Sequence, residues 1–228
     1  MKRLIAASAI CSAIFLLYVI SPHFPGAPFA VTFKVASIVL LLMIAAIARL
    51  RSNSLVMALG FSAIGDSFLG VRQLGPLNPK QLFLFGLVSF LIAHLFYVTL
   101  FVTNRAPSAA GSSRRLACAA VVITAVATLF VLWHGLGPMR APVLAYSLVL
   151  TAMAITAQLS RFSNVVRFGA LCFVASDTML ALSLFGYPFT GSHILVWITY
   201  YAAQALITAG VALGASAYAV HVSAARHS

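Results

Sequence analysis

The chain has two acidic side chains, Asp66 and Asp177, and both lie inside long apolar runs. Lys34 lies in a third such run, near its start. On insertion scales an ionised residue at the centre of a membrane helix costs roughly 2.5–3.5 kcal/mol. Groups placed at that cost are functional candidates by default. Lys34 can reduce the cost by extending its ammonium toward the interface, whereas the short aspartate side chains cannot reach far. The competing explanation is a buried Asp–Lys pair that only fixes packing. Such pairs are poor sources of net stability, which favours a chemical role.

Other polar groups could share the site. His94 and Tyr97 are three apart and so on one helical face. Gln204 shares a face with Tyr200 and Tyr201, and Ser62 lies one turn before Asp66. A lone buried histidine is often hydrogen-bonded to a neighbour and nothing more. Tyrosines near a span end commonly belong to the interfacial belt, but Tyr200 and Tyr201 lie deeper than a belt requires. Motifs of soluble enzymes are absent: no P-loop, no Gly-x-Gly-x-x-Gly fingerprint and no His-Glu-x-x-His helix. No cofactor is expected. A metal is not expected either, since His94 with two aspartates lacks the spacing of known metal motifs. Cys11, Cys118 and Cys172 each fall within a span and read as small buried hydrophobes.

The elements that hold these residues are set by composition. Of 228 residues, 63% are hydrophobic and 7% charged. A soluble domain carries about 25% charged residues, so a soluble globular protein, a disordered chain and a disulfide scaffold are excluded. Eight segments approach the roughly 20 apolar residues needed to cross the hydrocarbon core: 4–20, 29–48, 54–71, 81–102, 116–132, 141–159, 168–185 and 194–220. Turn chemistry separates them, at Ser21-Pro22 and Phe24-Pro25, Gly75-Pro76 and Asn78-Pro79, Ala106-Pro107, Gly137-Pro138 and Gly186-Tyr187-Pro188. Continuous apolar runs are unlike the alternating strands of a membrane barrel. The expected fold is therefore all-α, a polytopic membrane bundle of about eight helices. Lys2-Arg3 before an apolar stretch resembles a secretory signal. The run is longer than about 7–15 residues and no Ala-x-Ala cleavage site follows, so a retained first span is expected.

The net charge of +12 would suggest a nucleic-acid binder in a polar chain. Here it marks loops, and no nucleic-acid partner is expected. With the N-terminus cytoplasmic, that side holds Lys2, Arg3, Arg49, Arg51, Arg105, Arg114, Arg115, Arg161, Arg167 and Arg226. The opposite side holds Arg72, Lys80 and Arg140. This bias predicts both termini in the cytoplasm and an even number of spans. It also predicts that Lys34, Asp66 and Asp177 lie in the middle-to-outer half of the bundle. In a bacterium the expected location is the inner membrane. One transmembrane domain, 1–228, is expected. Gly65-Asp66 with Leu69, and Ser176-Asp177 with Leu180, lie 111 positions apart and hint at two four-helix repeats, about 1–110 and 111–228.

Several ordered motifs now combine. Phe61-Ser62, Gly65-Asp66 and Leu69, then Phe85-Gly86, Phe90, Ala93-His94 and Tyr97, resemble the YhhN-like lysoplasmalogenase family. The second half is also similar, with Gly169 through Ser176-Asp177, Leu180-Ala181, then Tyr200-Tyr201, Gln204 and Ile207. Lys34 resembles the family's lysine. It sits in Phe33-Lys34-Val35-Ala36, where a Lys-Pro step is more usual, a departure that bears on the local backbone. The resemblance implies a membrane hydrolase that cleaves the vinyl ether of a lysoplasmalogen, or a related lysolipid or ether lipid. Its products would be a fatty aldehyde and a glycerophospho-headgroup.

The implied chemistry suits the residues. Vinyl ether hydrolysis begins with protonation of an alkene carbon, and the oxocarbenium ion then takes up water. It needs a carboxylic acid that keeps its proton near neutrality and a nearby anion. Two aspartates in one dry cavity could share a proton, as paired carboxylates do elsewhere. One of Asp66 and Asp177 would be the general acid and the other would stabilise the cation and guide water. Lys34 would keep one carboxylate ionised or bind phosphate. Ser62, His94, Tyr97, Tyr200, Tyr201 and Gln204 would support the site and orient water and headgroup. Two rivals remain. An intramembrane aspartyl protease also uses two aspartates, but its usual Gly-x-Gly-Asp reads Ala63-Ile64-Gly65-Asp66 here. A proton-coupled transporter of small molecules or lipids would also use buried acids and a lysine.

Overall fold

The structure, a computed structural model, describes residues 2–21, 27–47, 53–71, 78–106 and 111–225. It contains α1 (Lys2–Ile20), α2 (Ala27–Ile47), α3 (Asn53–Val71), α4 (Pro79–Thr103), α5 (Ser112–Leu132), α6 (Arg140–Leu159), α7 (Asn164–Leu184) and α8 (Ser192–Ala225), with a 3-10 turn at Gly137–Met139. All eight helices are long and apolar enough to cross a membrane. Helices satisfy their own backbone groups, which hydrocarbon requires. The all-helical bundle thus agrees with the composition, and no strand occurs among the described residues. Arg49, Arg51, Arg72 and Arg226, and the turn residues Pro22, Phe24, Pro25, Gly75, Pro76 and Pro107, lie outside the described residues.

Local sequence sets the helix ends. The Asn78 side chain accepts a hydrogen bond from the Lys80 amide at 3.0 Å, and Pro79 occupies the first turn, where its missing N–H costs nothing. At the end of α7, Gly186 takes a φ of 124°, and the Tyr187 amide donates to the Leu182 carbonyl at 2.8 Å. This is the glycine-based closure common at helix C-termini. The ends of α4 and α6 are tied together by Ala106 N–H to Leu159 O at 3.0 Å and Arg161 N–H to Asn104 O at 2.9 Å.

Six helices close a ring, in the order α2, α3, α4, α6, α7, α8 and back to α2. Helix α1 lies over the α2–α8 seam, and α5 lies against α6 and α7 on the outside. Small residues allow the close approaches that membrane packing depends on. A Cβ on Gly65 would meet the Phe90 ring at 2.7 Å, and one on Gly86 would meet Leu69 at 2.8 Å, so α3 and α4 pack almost backbone to side chain. A Cβ on Gly169 would lie 3.1 Å from the Ala203 carbonyl, the same economy between α7 and α8. The core is dense toward the ends of α4 and α6. Leu55, Leu59, Tyr97, Leu100, Phe101 and Met153 are all fully buried there.

Candidate active site

A cavity of ≈ 530 Å³ occupies the other half of the ring. Its walls come from the C-terminal parts of α1, α3 and α7 and the N-terminal parts of α2, α4, α6 and α8. The lining is mostly apolar and aromatic, with Lys34, Asp66 and Asp177 set into it.

Asp66 is buried, with a partner on each carboxyl oxygen. Lys34 Nζ lies 2.7 Å from its Oδ1, and the Tyr200 hydroxyl donates to its Oδ2 at 2.6 Å. Its side chain is 1% exposed and that of Lys34 19%. Charge-assisted bonds of this kind are short and strong. Lys34 also sits near two aromatic faces, 5.7 Å from the Trp197 ring centroid and 6.0 Å from that of Phe15. This is within the range of cation–π attraction. Trp197 is itself held by Ser12, whose Oγ accepts from the indole N–H at 3.1 Å.

Asp177 is arranged differently. The Tyr146 hydroxyl donates to Oδ2 at 2.6 Å, while Oδ1 has no partner among the described residues. No lysine or arginine pairs with it among the described residues. His94 Nε2 lies 4.0 Å from Oδ2, too far for a hydrogen bond. His94 Nδ1 is 2.7 Å from the Phe90 carbonyl, so that nitrogen carries the proton and donates it. Nε2, buried and without a hydrogen-bond partner among the described residues, is left facing Asp177.

The remaining expected residues divide into support and bystanders. Gln204 donates through Nε2 to the Tyr200 oxygen at 3.3 Å and accepts from the Tyr97 hydroxyl at 2.5 Å. Gln204 and Tyr97 thus buttress Tyr200 from behind without reaching the cavity wall. His94 likewise stands behind Asp177, outside the cavity. Tyr201 turns to the other side of α8, where its hydroxyl meets Ser8 Oγ at 2.8 Å, and Ser8 donates onward to the Ser37 carbonyl. Ser62 is buried, makes no hydrogen bond among the described residues and does not line the cavity.

Sequence reasoning passed over Tyr146, whose hydroxyl bonds Asp177, and the aromatic wall of Phe15 and Trp197. The depth criterion applied to Tyr200 would have flagged Tyr146, which is well inside its span. Among the described residues, no group of three or more His, Cys, Asp or Glu is placed to hold a metal ion.

Ring and cavity together define a polytopic membrane protein whose intramembrane charges converge at one internal site. A family model described as the YhhN family matches residues 29–211. A lysoplasmalogenase of Mycobacterium tuberculosis is 34% identical over 185 residues, which cover 78% of this chain and 69% of that protein. Human lysoplasmalogenase TMEM86B is 35% identical over 151 residues, 66% of this chain and 60% of that protein. No solved structure matches. The chain belongs to the YhhN family.

Proposed function

We propose that this protein is a lysoplasmalogenase: it hydrolyses the vinyl ether of a lysoplasmalogen to a fatty aldehyde and a glycerophospho-headgroup, with Asp177 as general acid and Asp66 as the fixed anion. The substrate class rests on the names of the relatives. The division of labour rests on one observation, the unequal pairing of the two carboxylates.

Asp66 has a cation and a hydroxyl on its two oxygens, which suits a permanent carboxylate. Among the described residues Asp177 has no lysine or arginine partner, and a carboxylate without a counter-ion in a dry site is expensive. Protonation removes that cost and leaves Oδ1–H free to act. The Asp177 proton passes to the alkene carbon remote from the ether oxygen. The positive charge then develops on the adjacent carbon and the ether oxygen, where the Asp66 carboxylate stabilises it. Water adds to that carbon and returns a proton to Asp177. The hemiacetal collapses as Asp177 protonates the leaving glycerol oxygen and takes up the hemiacetal hydroxyl proton. Atoms balance as vinyl ether plus water giving aldehyde plus alcohol, and the acid is regenerated. Lys34 holds Asp66 ionised and oriented, and Tyr146 and Tyr200 aim the two carboxyl groups.

We read the bundle further as a single domain of two four-helix halves. Lys34 precedes Asp66 much as Tyr146 precedes Asp177 by 31 positions. The cross-contacts α4 on α6 and α8 on α2 exchange under the same correspondence. On this reading a lysine in one half and a tyrosine in the other make one carboxylate the anion and the other the acid. Aldehyde release from lysoplasmalogen by purified protein, followed by mass spectrometry, is the test. Full release by both Asp66→Asn and Asp177→Asn would sink the mechanism.

A further inference from the structure

We infer that the cavity is entered from the non-cytoplasmic face, so that the single-chain lipid is taken from the outer leaflet and the water-soluble product leaves on that side. The inference rests on reading the cavity as the lipid site and adds its direction of access.

Two independent observations carry it. The first is the shape of the interior. Each neighbouring pair of the six-helix ring is in contact, and α1 covers the α2–α8 seam, with Phe15, Tyr18 and Val19 on the cavity wall. One half of it is filled: Leu55, Leu59, Tyr97, Leu100, Phe101 and Met153 are buried toward the ends of α4 and α6. The other half holds the cavity, which runs from Asp66 past Trp197 to His193 and Leu184. His193, on the first turn of α8, and Leu184, on the last turn of α7, are both exposed. The way in is therefore at the end where α7 finishes and α8 begins.

The second observation is charge. Among the described residues, Lys2, Arg3, Arg105, Arg114, Arg115, Arg161 and Arg167 lie at the filled end, at the starts of α1, α5 and α7 and the ends of α4 and α6. Lys80 and Arg140, at the starts of α4 and α6, lie at the open end. Short loops rich in Lys and Arg stay in the cytoplasm. The filled end is thus cytoplasmic and the open end faces away. A lipid held there keeps its polar group near the outer interface and passes its chain inward along the apolar wall toward the acids.

The test uses full-length His193→Cys in right-side-out and in inverted membrane vesicles, with a bulky membrane-impermeant maleimide. Wild-type vesicles treated alike give the background from Cys11, Cys118 and Cys172, which all lie within helices. Turnover of added lysoplasmalogen is compared with that of the same vesicles left unlabelled. Expected are thiol labelling and at least a tenfold loss of turnover in right-side-out vesicles, with neither in inverted ones. Loss confined to inverted vesicles, loss in both, labelling from neither side, or external labelling that leaves turnover intact would each overturn the inference. The two proposals fail separately. A detergent-solubilised protein with no lipid turnover removes the proposed function, while the side from which the His193→Cys thiol is labelled still decides the direction of access.

Discussion

Removing Lys34 separates the electrostatic role of the Lys34–Asp66 pair from its role in folding. Lys34→Met keeps the length of the aliphatic stem and deletes the ammonium 2.7 Å from Asp66 Oδ1. Breaking a buried pair by removing one partner costs about 3–5 kcal/mol, because the other charge is left behind. The Lys34 side chain retains 19% exposure to the cavity, which places the cost near the lower bound, about 3 kcal/mol. For a chain of this size that is a fall of about 6–12 °C in Tm. Adding Asp66→Asn removes the stranded charge and keeps an oxygen for the Tyr200 hydroxyl to donate to. The double variant should recover most of the lost stability, giving a coupling of about 2–3 kcal/mol. Activity should not recover, because the anion that stabilises the cation is gone; a loss of about 100-fold or more is expected. Thermal unfolding in detergent gives the first quantity and aldehyde release the second. A double variant no more stable than the singles would refute the pairing argument. A double variant that regains turnover would refute the role given to Asp66.

Tyr146→Phe leaves Asp177 in place and removes the hydroxyl on Oδ2; kcat should fall about tenfold, on the order of 1.4 kcal/mol, with little change in Tm, measured by single-turnover aldehyde release. Tyr97→Phe strands Gln204 Oε1 in the packed half, so it should cost about 1–3 kcal/mol of stability and leave the kcat of folded protein within about threefold, read by unfolding and turnover on the same sample. Gly86→Val drives a side chain into Leu69 where α3 meets α4, and should destabilise by about 1–3 kcal/mol, seen as a lower Tm and lower yield of folded protein.

The spans were legible because lipid demands long apolar runs and the sequence has eight of them. Lys34, Asp66 and Asp177 were legible because a charge in such a run is costly, and the cost itself is the signal. Helix order in the ring was not legible. Spans of similar hydropathy do not encode their neighbours, and nothing in α5 distinguishes it beforehand as the helix left outside. Trp197 was missed for a related reason: near the start of its span, an amphipathic ring fits an interfacial belt as readily as a cavity wall. Tyr201 was grouped with Tyr200 because both share a face with Gln204, yet the 100° between consecutive helix residues sends Tyr201 to Ser8 on α1. His94 and Gln204 illustrate a further limit. Their chemistry and helix face were readable, but only the packing places His94 behind Asp177 and Gln204 behind Tyr200, both off the cavity wall.

The central claim is that Asp177 delivers a proton to the alkene carbon. Turnover of lysoplasmalogen in D₂O, with the aldehyde trapped as it forms and weighed by mass spectrometry, tests it most directly. Wild-type protein should release aldehyde carrying one deuterium on the carbon next to the carbonyl, and Asp177→Asn should release none. Unlabelled aldehyde from the wild type, or labelled aldehyde at the wild-type rate from Asp177→Asn, would contradict the account.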